Sequence, residues 1–185
     1  MILALLDANV IFPAPIRDLL LSLAEDGHFK PFWTEEIHQE WKRNLLQKRP
    51  ELDSKGLERT ITLMNEAFPD ASIEGYERRI EALSLKDPND RHVLAAALEA
   101  NTDYLVTVNL KDFKTSALKN EKPQVIHPDD FICLFISENP ASVLDCFSRL
   151  VSRLKKPPQS KEDVLRTLTK IGLLNTAAKI RGLLA

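Results

Sequence analysis

The chain opens on a short, unbroken apolar run, Ile2–Leu6, closed by Asp7. A run this short and uniform predicts a strand buried on both faces, as in a parallel sheet. Pro13 and Pro15 interrupt the pattern, and Ile16, Leu19, Leu20 and Leu23 then recur at helical spacing until Gly27. Phe29–Trp33 predicts a second strand. Thr34 is placed to cap a helix over Glu35–Arg49, with Glu35 and Glu36 at its positive end and Pro50 at its stop. Ser54–Phe68 predicts another helix before Pro69, whereas residues 70–86 follow no single period. Asp87-Pro88-Asn89-Asp90 joins a cap, a first-turn proline and an acid, and opens a helix through Val93, Leu94, Ala97 and Leu98 to about Ala100. Tyr104–Val108 and Val125–Ile126 read as strands, and Phe131–Ile136 begins a helix after Pro128.

Beyond residue 138 the pattern is wholly helical. Asn139-Pro140 starts a helix whose apolar side is Val143, Leu144, Phe147, Leu150, Val151 and Leu154. Pro157-Pro158 breaks it, Ser160 with Asp163 opens the next by the capping pattern, Gly172 ends that one, and Asn175 is placed to cap a last. Alternating strands and helices predict an α/β fold with a mainly parallel sheet over residues 1–138, followed by an all-helical extension over 139–185.

Charge sharpens this division. Residues 1–139 hold 16 Lys and Arg against 24 Asp and Glu, a net of -8, while residues 140–185 hold 9 against 3, a net of +6. The basic extension is expected to present a solvated helical surface, to bind RNA phosphates, to bind an acidic or amphipathic partner segment, or to complete the core. With 44% hydrophobic and 28% charged residues, the chain reads as a soluble globular protein. No apolar stretch approaches the roughly 20 residues of a membrane-spanning helix, and the start lacks signal-peptide features, so a cytoplasmic location is expected. Cys133 and Cys146 lie in apolar helical patterns and read as reduced packing residues.

The chemistry rests on acids at strand ends and helix starts, since sites in parallel α/β sheets form beyond the carboxyl ends of strands. Asp7 ends the first strand, and Asp112 follows the strand Tyr104–Val108 across Asn109-Leu110-Lys111. Asp90 falls in line with Leu94 and Ala97 on the inner side of its helix, and Glu40 borders the stripe of Ile37, Trp41 and Leu45. Four carboxylates gathered in one cleft repel one another and stay ionised together only around cations. Hard divalent ions such as Mg2+ or Mn2+ suit such oxygen ligands and promote phosphodiester hydrolysis. Asp87 is the rival of Asp90 for the third position, and Glu36, one turn away, that of Glu40. His28, His38, His92 and His127 show no metal-binding spacing with cysteine and read as surface or packing residues, with His92 off the face that Asp90 uses. The glycines form no phosphate-binding loop, and no serine or cysteine sits in a nucleophile elbow.

Four stretches in order, LLDANV at 5–10, TEEIHQEW at 34–41, DPNDRHVLAAAL at 87–98 and DYLVTVNLKDF at 103–113, resemble PIN domains, especially the VapC-like toxins of bacterial toxin–antitoxin pairs. The resemblance implies an α/β/α sandwich with an acidic pocket for Mg2+ or Mn2+ and endoribonuclease activity. Its acids are Asp7, Glu40, Asp90 and Asp112, with Asp7, Asp90 and Asp112 on the metal. Asn9, Thr107 and Asn109 match polar positions that orient ligands or water. An antitoxin partner and a homodimer are implied, and the tail resembles the helical extension of longer VapC-like proteins. The alternatives are a phosphohydrolase or DNA nuclease of related α/β fold, and a non-catalytic module binding RNA or protein. A dehalogenase-type phosphohydrolase would want an acid where Asn9 stands.

Overall fold

In the computed structural model, which describes residues 1–114 and 122–185, four strands form one sheet in the order β2-β1-β3-β4. They are β1 (Ile2–Leu6), β2 (Phe29–Phe32), β3 (Tyr104–Val106) and β4 (Gln124–Ile126). All neighbours pair in parallel, with Ile2 opposite Phe29, Leu5 opposite Leu105 and Val106 opposite Ile126. The sheet is thus wholly parallel among the described residues, and with helices around it the fold is the expected PIN-like α/β/α architecture. Leu5, Leu6, Leu105 and Val106 are inaccessible to solvent, which explains their uniform apolarity.

The order of the strands locates the site. From β1 the chain goes to β2 on one side, and β3 and β4 lie on the other. The switch therefore falls between the carboxyl ends of β1 and β3, where α/β sheets open a crevice.

Around the sheet lie α1 (Ala8–Ile11), α2 (Ala14–Glu25), α3 (Glu35–Lys48), α4 (Ser54–Ala67), α5 (Glu77–Ile80) and α6 (Arg91–Glu99). Thr34 caps α3 by accepting from the Ile37 N–H at 3.1 Å. Gly27 ends the turn after α2 at φ 79°, a conformation that disfavours side chains with a Cβ. The aperiodic stretch 70–86 holds the one-turn α5 and a single bridge between Ser72 and Trp33.

Helix α7 (Pro128–Glu138) leads into the extension, whose helices are α8 (Pro140–Arg153), α9 (Lys161–Lys170) and α10 (Leu174–Leu184). The apolar faces of these four helices join the same core as the sheet through Phe131, Phe135, Val143, Phe147, Leu165, Leu168 and Ile180. Phe131 and Phe135 pack on Phe29 of β2, edge-on at 5.0 Å and stacked at 5.7 Å. Each such side chain contributes roughly 1.5–3 kcal/mol by burial. Three of the extension's basic residues form exposed ion pairs with the protein's own acids, Arg149 with Asp26, Arg153 with Glu25 and Arg181 with Glu162. Completion of the core is therefore one role the extension performs.

Two local expectations need correction. The strand Tyr104–Val108 stops at Val106: the Thr107 N–H still donates to the Ile126 carbonyl at 3.0 Å, but the Val108 N–H turns to a side chain and donates to Asn9 Oδ1 at 3.1 Å. Asn175 does not cap α10. The buried carboxylate of Asp129, from α7, accepts from the Asn175 and Thr176 N–H groups at 2.9 and 2.7 Å. A cap supplied by another helix leaves no mark in the local sequence.

Candidate active site

Asp7 occupies the carboxyl end of β1, with only 3% of its surface exposed. Its Oδ1 accepts from the Ala8 N–H at 2.6 Å, the start of α1, and its Oδ2 accepts from the Thr107 hydroxyl at 2.7 Å and from the Asn9 amide. Asn9 also donates to Thr107 Oγ1 at 3.1 Å, and the Asn109 N–H donates to the same oxygen at 3.0 Å. Asn9 and Thr107 thus form a polar clasp that fixes the Asp7 carboxylate and ties β1 to the loop after β3. Asp112 stands further along that loop, partly buried, with the Lys86 ammonium 3.9 Å away.

Asp90 ends the 3-10 turn Pro88–Asp90 that leads into α6. The Asp87 carboxylate accepts from the Asn89 N–H at 2.9 Å and so caps this turn, while Asp90 makes no cap hydrogen bond of its own. Glu40 projects from α3 toward the same space. A cavity of about 650 Å³ is lined by Glu36, Glu40, Asp87, Asp90, His92 and Asn109, with Arg43 at its margin.

Electrostatics show that these acids feel one another. Burial, reinforced by the negative charge of Glu40, raises the Asp7 pKa from 3.8 to about 6 against the pull of its hydrogen bonds to Thr107, Ala8 and Asn9. Burial, together with the charges of Asp7, Asp87, Asp112 and Glu40, raises Asp90 to about 6 as well. The charges of Asp7, Asp87, Asp112 and Glu40 thus all reach Asp90, although among the described residues no three of these acids bring carboxylate oxygens within 4.8 Å of one another. Hard oxygen donors of this kind suit a divalent cation, which would relieve the repulsion that helps raise both groups.

His92 was misplaced by helical periodicity. It is 93% buried by accessible surface, lines the cavity with Asp90, and sets Nε2 3.5 Å from Glu40 and Nδ1 3.6 Å from Glu36. Its Nδ1 is buried without a hydrogen-bond partner. Burial opposes charge on this imidazole, but Glu40, Glu36 and Asp7 outweigh it and hold the pKa above its ordinary value. A uniform turn of 100° per residue fails here because Asp90 sits in a tighter 3-10 turn. The one sequence signal is that His92 lies two residues after Asp90. Glu36 points elsewhere as well, accepting from the Tyr76 hydroxyl at 3.2 Å. The other histidines have separate uses: His38 is buried between Trp41 and Asn65, and His127 caps α7.

The sequence model of the PIN domain matches residues 4–111, a span that includes all the acids except Asp112. A second model, described as the VapC50 C-terminal domain, matches residues 128–182. A relative from Mycobacterium tuberculosis (strain ATCC 25618 / H37Rv), provisionally named ribonuclease VapC50, is 45% identical over 58 residues, 31% of this chain and 34% of the relative. The chain thus spans about a third of that relative's length in the match. No solved structure matches the chain. By its sequence, its parallel sheet and the acids at the switch point, the chain belongs to the PIN-domain family.

Proposed function

We propose that the protein is a metal-dependent endoribonuclease that hydrolyses RNA phosphodiester bonds, and that it is the toxin of a toxin–antitoxin pair. The observation that carries this reading is the convergence of Asp7, Glu40, Asp90 and Asp112, with Asp7 and Asp90 both pushed up to about 6. Charges so disposed are costly to a protein that merely folds, and useful to one that holds a cation. The relative's name as a ribonuclease agrees with it.

In this reading Asp7, Asp90 and Asp112 hold Mg2+ or Mn2+, and Glu40 holds or positions the ion from the side. Once bound, such an ion supplies Lewis-acid polarisation of the phosphate and a lower pKa for water. Asn9 and Thr107 keep the Asp7 oxygens aimed, so little reorganisation remains for the reaction itself. Arg43 lines the cavity and makes no ion pair among the described residues, which suits it to an RNA phosphate beside the cut. Val108 and Leu110 are exposed on the loop before Asp112 and would meet an amphipathic antitoxin segment laid over the site. Among the described residues no helix is long and apolar enough to cross a membrane. A cytoplasmic protein, acting as a homodimer, is the form we propose.

The test is RNA cleavage by pure, partner-free protein in Mg2+ or Mn2+, beside Asp7→Asn and a chelator. Cleavage lost in both controls supports the assignment. Cleavage that survives Asp7→Asn in pure protein refutes it. A folded protein that neither cuts RNA nor binds Mn2+ is a non-catalytic binding module.

A further inference from the structure

At the opposite end of the sheet, where β2 begins, the turn after α2 meets α8. One donor atom each from Asp26, His28 and Cys146 lies within 4.8 Å of the others. We propose that these three residues form a zinc site, separate from the acidic cluster, that clamps the helical extension to the body of the protein.

The ligand set is the first argument. Zinc is a borderline ion that takes thiolate, imidazole and carboxylate together. Bond lengths of such ligands give tetrahedral edges of roughly 3.3–3.7 Å. Cys146 Sγ lies 3.3 Å from Asp26 Oδ2. Ser142 Oγ lies 3.3 Å from that same oxygen and 2.8 Å from His28 Nε2. The Ser142 hydroxyl, one helical turn before Cys146, already holds both donors turned inward, and it or a water takes the fourth corner.

The surroundings are those of a metal site. Arg149 donates to Asp26 Oδ1, which leaves Oδ2 facing the thiol, and its guanidinium also lies 3.3 Å from Cys146 Sγ. Ligating carboxylates commonly carry such an outer partner. Cys146 is wholly buried, and its S–H donates to Asp26 Oδ2, so the sulfur already faces the oxygen with which it would share the ion. Zinc binding replaces the S–H bond with a Zn–S bond and releases the proton to solvent. Access is open: a cavity of about 760 Å³ lined by Gly27, His28 and Asn139 reaches the imidazole from outside.

The consequence is structural. Asp26 and His28 belong to the α2–β2 turn, and Cys146 to α8, so one ion joins residues about 120 positions apart in the chain.

The experiment titrates Co2+ into the reduced, metal-free full chain and reads the thiolate-to-cobalt charge-transfer absorption. One equivalent should saturate the band, and one equivalent of Zn2+ should displace it. Asp7→Asn should keep the band, since an all-oxygen site produces none. Cys146→Ser and His28→Ala should lose it, and Arg149→Gln should weaken Co2+ binding about tenfold. Circular dichroism checks that each variant is folded, and half-buried His28 is the position where Ala is best tolerated if Cys146→Ser unfolds. No band from the native chain, or a band of unchanged affinity in His28→Ala, overturns the proposal.

Discussion

Replacing Asp7 by Asn should make the metal-free protein more stable while abolishing its catalysis. The Asp7 carboxyl has a pKa of about 6 in the folded chain against an ordinary 3.8, with burial as the main cause. Between those values the unfolded chain loses this proton first. Stability from this group is therefore greatest below about pH 4, falls as pH rises through the window, and stays lower above about pH 6. The full difference corresponds to roughly 3 kcal/mol at pH 7. Asn keeps the shape but cannot accept from Ala8, Asn9 and Thr107 as a carboxylate does, which offsets about 1–2 kcal/mol. A net gain of about 1–2 kcal/mol should raise Tm by roughly 2–8 °C in a chain of this size. The assay is thermal unfolding in chelator at pH 4.5 and 7.5, then at pH 7.5 with saturating Mn2+. The gain should appear at pH 7.5 and shrink at pH 4.5. Mn2+ at about a hundred times its Kd should add roughly 2.7 kcal/mol to the native protein alone and reverse the order. If Asp7→Asn is less stable than the native protein in chelator at pH 7.5, the electrostatic reasoning about the cluster is wrong.

Asp90→Asn should lower RNA cleavage at least about a hundredfold, and Glu40→Gln less, measured as kcat/KM on one RNA substrate. Thr107→Val removes the 2.7 Å hydroxyl bond to Asp7 and should weaken Mn2+ binding about tenfold by calorimetry. His92→Ala should lower kcat about tenfold through loss of its contact with Glu40, His92→Gln should restore part, and in a Glu40→Ala background the His92 change should add little. Asp129→Ala leaves two N–H groups at the start of α10 without their acceptor and should cost about 1–3 kcal/mol in denaturant unfolding, with cleavage by the folded fraction unchanged.

Strands and most helix caps are legible in the sequence because they are local or periodic signals, and the acids stand out only by their places at strand ends and helix starts. Ile2–Leu6 with Asp7 needed only its own pattern, and Thr34, Ser160 and Gly172 each act within a few residues. What escaped was whatever depends on meetings at a distance. The Val108 N–H leaves the sheet for Asn9, about a hundred positions earlier. The cap of α10 comes from α7. His92 joins Glu40 only once α3 and α6 are side by side, and the neighbours of Cys146 lie about 120 positions away. A mainly parallel sheet was legible, whereas the space between its strand ends was not.

Helix α7 has a further consequence, for transplantation. Its Phe131 and Phe135 face Phe29 of the sheet, while its Asp129 holds the start of α10. To graft the extension onto another PIN body, the donor segment must begin by Pro128, and the host must offer an aromatic at the place of Phe29. A graft taken from residue 139 would arrive without the carboxylate that starts its last helix. Residues 128–138 thus serve both sides at once, packing on the sheet and capping the last helix.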